Sequence, residues 1–159
     1  MALEAAVVYD LCHERIADLG RWDYVSHQVI ASPFKPIDYM DKIDVLAARY
    51  LTNTKITCKY LTVELKKDEA EKSTIDQILK YVDWVCTEYA YGDYEMIEAC
   101  IIAAGYEEGM DRYYREVVQR HYTQGSHPVR NKQWNDLKLL KYTCVDGEIV
   151  YEDVTPPLR

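Results

Sequence analysis

A chain of 159 residues is long enough to bury a core and fits a single domain. Its formal net charge of −8 excludes a protein that holds nucleic acid by bulk charge alone. No apolar run approaches the roughly 18 residues that cross a bilayer, and the N-terminus lacks a secretion signal's basic start, apolar centre and cleavage site, so a cytoplasmic location is expected.

In chain order, Val8, Leu11, Cys12, Ile16 and Leu19 recur at helical spacing and predict a helix from Leu3 to Leu19, stopped by Gly20. A strand is expected from Tyr24 to Ala31. Two prolines make Ser32-Pro33-Phe34-Lys35-Pro36 a loop. Lys42 to Tyr50 and Ile56 to Leu65 read as two strands joined at Thr52-Asn53-Thr54 into an antiparallel hairpin. A helix is expected to start at Ser73, with Asp76 completing a capping box. Its apolar stripe is Ile75, Ile78, Leu79, Val82, Cys86 and Tyr89. Met96 to Ala103 reads as a buried strand, followed after Gly105 to Gly109 by a helix bearing Met110, Tyr113, Tyr114, Val117, Val118 and His121 on one face. Leu137 to Cys144 and Glu148 to Val154 flank an Asp146-Gly147 hairpin turn. The order α-β-β-β-α-β-α-β-β implies an α/β fold, a central mixed β-sheet flanked by helices.

Cys12, Cys58, Cys86, Cys100 and Cys144 form no CxxC pair or zinc-finger spacing, and read as reduced thiols packed mostly in the core. The segment Arg120 to Lys141 concentrates Arg120, Arg130, Lys132, Lys138 and Lys141 against one acid, Asp136. It is either a basic patch or a solvated loop with scattered charges. Trp134 within it reads as an anchor for the closing hairpin. His27 falls in a strand and His127 in a loop, with nothing to place either near chemistry. Gly105 and Gly109 lack the GK[ST] ending of a phosphate-binding loop.

The chemistry concentrates on two strands. Alternation along Val63-Glu64-Leu65-Lys66-Lys67 points Glu64 and Lys66 to one side and Val63 and Leu65 to the other. Taken alone, Glu64 and Lys66 are a surface ion pair. Asp44, however, lies inside the apolar run Lys42-Ile43-Asp44-Val45-Leu46, where a carboxylate needs a partner. The hairpin brings its strand beside that of Glu64. Two close carboxylates repel unless a cation lies between them, and hard divalent cations take such oxygen donors.

This pattern resembles the PD-(D/E)xK nuclease superfamily, in which an acidic residue precedes a (D/E)xK strand; here these are Asp44 and Glu64-Leu65-Lys66. Gln77-Ile78-Leu79-Lys80-Tyr81 is similar to the Gln-x-x-x-Tyr pattern of the RecB-like and NucS-like branch, carried on the helix after that strand. At i and i+4, Gln77 and Tyr81 share a face off the apolar stripe. The resemblance covers roughly Leu3 to Tyr122. It implies a restriction-endonuclease-like core, Mg²⁺ (Mn²⁺ substituting) as cofactor and DNA as substrate. Asp44, Glu64 and the Leu65 carbonyl are the implied metal ligands. A glutamate of the first helix is the remaining one, Glu4 in preference to Glu14, which lies with Asp10, His13 and Asp18 on an expected solvent face. Lys66 is implied to assist the attacking water, with Gln77 and Tyr81 positioning substrate. Two departures stand out: Ile43 replaces the expected proline, and Asp41 replaces a small residue, either crowding the site or pointing to solvent. The rival is a catalytically inactive module of the same fold that binds nucleic acid or assembles with a partner protein. A homodimer or a partner would supply the DNA affinity that the net charge does not. An unrelated scaffold would leave Asp44 and Glu64 far apart.

Overall fold

The computed structural model describes residues 2–31 and 41–158; the loop expected over 32–36 lies outside them. Helix α1 (Ala2–Cys12) is followed by strands β1 (Tyr24–Ile30), β2 (Lys42–Tyr50) and β3 (Thr57–Ala70). Helix α2 (Lys72–Glu88), strand β4 (Ile97–Tyr106) and helix α3 (Met110–Val117) come next. Strands β5 (Arg120–Gln124), β6 (Arg130–Trp134), β7 (Leu137–Val145) and β8 (Glu148–Asp153) complete the chain.

Among the described residues, six strands form a mixed sheet in the order β1-β2-β3-β4-β7-β8. The β3–β4 and β4–β7 ladders are parallel and the rest antiparallel. Parallel neighbours need a crossover, which α2 supplies between β3 and β4. Alternation along the buried central strand separates two cores. Ile97, Ala99, Ile101 and Ala103 of β4 pack with Ile75, Ile78 and Val82 of α2 and with Met110 and Tyr114 of α3. Cys100 and Ile102 pack on the opposite face with Val7 and Leu11 of α1 and with Val45, Leu61 and Val63. The expected α/β architecture, a mixed sheet flanked by helices, is the one observed.

Three local expectations are corrected. First, α1 ends at Cys12 rather than Leu19. Glu14 adopts a left-handed φ of 57°, the Arg15 amide reaches Asp10 O at 2.8 Å and the Glu14 amide reaches Leu11 O at 3.3 Å. These two bonds make a Schellman closure without glycine. Ile16 and Leu19 still enter the α1 core, which is why their spacing imitates a continuing helix.

Second, Ser73 does not cap α2. The N-cap is Glu71, with no side-chain cap bond, and Ser73 bonds the Glu71 carboxylate instead, at 3.4 Å. The open amide of Lys72 donates to Glu107 Oε2 at 3.0 Å, and the Lys72 ammonium lies 2.6 Å from Oε1. A carboxylate 35 residues away in sequence therefore serves the positive end of the helix.

Third, the basic segment is not a loop. β5 and β6 pair antiparallel as a separate ribbon, and His121, assigned to a helix by its spacing, lies in β5. Trp134 is buried and donates its indole N–H to Ile97 O at 2.8 Å, so it anchors β6 to the start of β4. The thiols also differ from expectation: all five are free, but Cys12 and Cys144 are exposed and Cys58 is half-buried, leaving Cys86 and Cys100 as the core pair. No described helix is long and apolar enough to cross a membrane.

Two irregularities shape one end of the sheet. The described β2–β3 ladder begins at Val45 opposite Val63, so residues 42–44 of β2 part from β3 and open a fork. Further along, β3 bulges: between the Lys66–Ala103 and Glu69–Gly105 pairs, three steps on β3 match two on β4.

Candidate active site

The alternation of β3 fixes the first two groups. Leu61 and Val63 belong to the α1 core, and Leu65 packs against it, so Thr62, Glu64 and Lys66 turn toward α2. Glu64 lands in the interior, its side chain 3% exposed, while that of Lys66 is 34% exposed. Lys66 Nζ donates to Glu64 Oε1 at 2.8 Å. Glu64 Oε2 is buried with no hydrogen-bond partner among the described residues. A buried carboxylate oxygen in that position loses its hydration without replacement, which disfavours the charged form. Burial accordingly pushes the Glu64 carboxyl up to about 7 from an ordinary 4.5, against the hydrogen bond from Lys66 and with added repulsion from Asp44.

Asp44 sits at the fork. With no β3 residue opposite it in the ladder, its Oδ2 takes the Leu65 amide at 2.8 Å, the bond a strand partner would otherwise accept. Its Oδ1 receives the Gln28 amide across a long 3.4 Å. Burial raises this carboxyl as well, opposed by the Leu65 amide and the Lys66 charge, and repulsion from Glu4 adds to the rise. Asp44 is thus close enough for its charge to raise the Glu64 carboxyl, and Lys66 acts on both acids.

Of the two first-helix glutamates, Glu4 faces this cluster. Its Oε1 lies 2.9 Å from His27 Nδ1 on β1, and a cleft of about 310 Å³ is lined by Glu4, Ala5, Val8 and His27. Glu14 instead sits at the surface, 3.9 Å from Arg21. Asp10, expected on the solvent face, is buried: it accepts from Tyr151 O–H at 2.8 Å. Residue spacing assigns no role to His27 or Gln28 and carries no sign of either contact.

From α2, Gln77 Nε2 reaches Tyr81 Oη at 2.9 Å, as the i, i+4 spacing allows. Tyr81 is not off the buried face; it is 4% exposed and belongs to the core under α2. Burial holds its phenol at about 12, with the Gln77 bond opposing, and the charges of Glu64, Asp41 and Asp44 push it further up. All three acids therefore lie within electrostatic reach of the ring oxygen. Asp41 itself is exposed, and its backbone carbonyl accepts the Ala31 amide at 2.9 Å.

The structure thus gathers Asp44, Glu64, Lys66, Gln77, Tyr81 and Glu4 around the fork. Among the described residues, however, no group of three or more His, Cys, Asp or Glu side chains is close enough to enclose a metal ion. The basic ribbon contributes less free charge than its composition suggests. Arg120 bonds Asp83 through two nitrogens at 3.0 and 3.3 Å, and Lys132 lies 2.5 Å from Glu95.

No protein-family model matches the chain, and no curated protein matches it. Two solved structures do. One is a repair endonuclease from Pyrococcus abyssi, with a TM-score of 0.48 and 18% identity over 72% of this chain and 43% of that one. The other is EndoMS in complex with double-stranded DNA, with a TM-score of 0.42 and 19% identity over 71% of this chain and 40% of that one. The match spans less than half the length of either protein.

Proposed function

We propose that this chain is a Mg²⁺-dependent nuclease of the PD-(D/E)xK type, with a restriction-endonuclease-like core, that hydrolyses phosphodiester bonds in cytoplasmic DNA during repair, recombination or defence. One observation carries the reading: the Glu64 carboxylate is buried, one oxygen is tied to Lys66, and the other has no partner among the described residues while Asp44 stands close by. A fold gains nothing from an unsatisfied buried carboxylate oxygen. A divalent cation supplies the missing partner, and the donor set suits a hard ion that prefers carboxylate and carbonyl oxygen.

Asp44 and Glu64 would hold the ion, with the Leu65 carbonyl and Glu4 as further donors and Mn²⁺ as a substitute. When bound, the cation supplies a water of lowered pKa and neutralises charge on the phosphate. The remaining work belongs to side chains. Lys66, steered by Glu64 Oε1, places its ammonium where it orients the attacking water and offsets charge developing on the phosphorus oxygens. The water oxygen bonds to phosphorus, its proton passes to solvent, and the departing ester oxygen takes up a proton. Gln77 would position the substrate backbone, with the buried Tyr81 hydroxyl holding its amide in place. The assay is direct: purified chain with Mg²⁺ or Mn²⁺ cuts at least one of single-stranded, nicked, branched or duplex DNA, and Glu64→Ala does not. If all four substrates stay intact, the activity is wrong.

The second reading, an inactive module of this fold that binds nucleic acid or a partner protein, is favoured by the net charge of −8 and by the pairing of Arg120 and Lys132 with acids of their own chain. Mn²⁺ binding separates the two. The nuclease reading requires a site that Glu64→Ala destroys, and an inactive module has no such requirement. A homodimer or a partner protein would supply the missing DNA affinity under either reading.

A further inference from the structure

β1 breaks its own pattern beside the fork. Gln28 has a left-handed φ of 53° in the middle of the strand, yet the ladder holds on both sides of it, with His27 opposite Val45 and Val29 opposite Ile43. Side chains other than glycine avoid that conformation, and in strand interiors it persists only where surrounding structure over-determines it. The register runs on through it and leaves Gln28 opposite Asp44. Successive residues of a regular strand point to opposite faces. His27, opposite Val45 of the α1 core, meets Glu4 of α1, with Nδ1 2.9 Å from Glu4 Oε1, while Gln28, on the other face, donates Nε2–H to Asp44 Oδ1 at 3.4 Å. The two carboxylates are themselves close enough for Glu4 to raise the Asp44 carboxyl.

A stabilising role does not explain the arrangement. The His27 side chain is 65% exposed, and pairs of that kind contribute little to folding. What the contact does is orient. With Oε1 held on His27, the orientation of the Glu4 carboxylate is fixed. Carboxylates that ligate metals are routinely fixed by such outer hydrogen bonds.

We infer that His27 and Gln28 are positioning residues for the divalent-cation site, successive residues of β1 placing one donor on Glu4 from one face and the other on Asp44 from the opposite face. The inference rests on the proposed metal site and adds to it a pair of residues that touch neither the cation nor the substrate. His27 aims the carboxylate that α1 brings, and Gln28 aims the one at the fork.

The test is Mn²⁺ titration of the full-length chain, read from the paramagnetic resonance signal of the free ion, with a thermal melt of each variant to show that it is folded. His27→Ala weakens Mn²⁺ binding about 10-fold, the low end for loss of an outer-shell partner, and Gln28→Ala weakens it by less. His27→Asn, which carries an amide nitrogen at the position of Nδ1, restores most of the affinity. Glu64→Ala abolishes binding. If His27→Ala binds as the parent does while Glu64→Ala fails, the positioning role is overturned and the metal site stands. If His27→Asn binds as weakly as His27→Ala, the hydrogen bond is not the cause and the inference falls. If the parent binds no Mn²⁺, the metal site and this inference fall together.

Discussion

The fork between β2 and β3 and the ribbon of β5 and β6 are both rich in charge, and they treat it in opposite ways. On the ribbon, Arg120 takes both oxygens of Asp83, and Lys132 takes Glu95. These are largely exposed pairs of opposite sign in which each ion has a partner. At the fork, Glu64 is buried with one oxygen unmatched among the described residues, Asp44 is half-buried, and the shared Lys66 offsets only part of their repulsion. On the ribbon, two of the cations that the charge count would assign to function are spent on acids of the fold. The region with an uncompensated buried acid is the one whose construction costs stability, and that cost needs a purpose. A run of like charges in a sequence says little until its partners are known. A single acid in an apolar strand says more.

The largest effect that tests this contrast is on activity. Glu64→Ala is expected to lower nuclease turnover at least about 1000-fold, equivalent to several kcal/mol of lost charge stabilisation. Arg120→Ala is expected to leave turnover and DNA affinity within about two-fold, because its charge is spent on Asp83. Gel-based cleavage and filter binding measure both. A ribbon mutant that loses DNA while the Glu64 mutant keeps cutting would reverse the assignment of the two regions.

The next effect is on stability against pH. The unfolded chain releases the Glu64 proton near 4.5 and the metal-free folded chain holds it to about 7, so the folded state binds more protons in that window. Stability is therefore fully present below pH 4.5 and falls as pH rises toward 7. The fall attributable to Glu64 is roughly 3 kcal/mol, with Asp44 acting in the same direction. Glu64→Gln carries no such charge. Its melting temperature is expected to exceed that of the parent at pH 8 and to approach it at pH 4, and added Mn²⁺ at pH 8 narrows the gap by stabilising the parent alone. An equal gap at both pH values would mean that Glu64 is not the buried charge.

Much of this contrast was legible in the sequence at the fork and little of it on the ribbon, for a physical reason. Strand alternation is local, so the common face of Glu64 and Lys66 and the anomaly of Asp44 between Ile43 and Val45 could be read from neighbouring letters. The partners of Arg120 and Lys132 come from 37 residues away, and no local pattern announces them. The same distance hid the cap of α2, where Glu107 does what Ser73 was expected to do. The end of α1 was hidden differently: Glu14 is not a residue whose type announces a left-handed turn, and Ile16 and Leu19 keep the helical spacing after the helix has stopped. His27 and Gln28 were invisible because their partners come from other elements, Glu4 of α1 23 residues away and Asp44 of β2 16 residues away.

On the ribbon, Arg120→Ala removes a two-point contact from a partly buried arginine whose side chain is 27% exposed, leaving Asp83 with its bond from Tyr94. The expected loss is about 1–2 kcal/mol in urea unfolding, because a charged group loses its partner without being fully desolvated. Lys132→Ala, more exposed, is expected to cost less than about 1 kcal/mol. If the two substitutions were equally harmless, the ribbon would be held by Trp134, Tyr122 and Gln124, and its ion pairs would contribute nothing.

The smallest effect has the most informative sign. Gln28→Gly relieves a left-handed φ that costs a side-chain-bearing residue about 1–2 kcal/mol. Against that stand the extra freedom glycine gives the unfolded chain, about 0.4–1 kcal/mol, and the loss of a long hydrogen bond to Asp44. The net expectation in the metal-free chain is a gain of about 0.5 kcal/mol, measured as a rise in the urea midpoint with an unchanged slope. The same substitution is expected to weaken Mn²⁺ binding, since the amide that steadies Asp44 is gone. A substitution that strengthens the fold and weakens the site is the signature of strain kept for function. If Gln28→Gly instead loses stability, the turn in β1 is held for packing, and the fork no longer differs in kind from the ribbon.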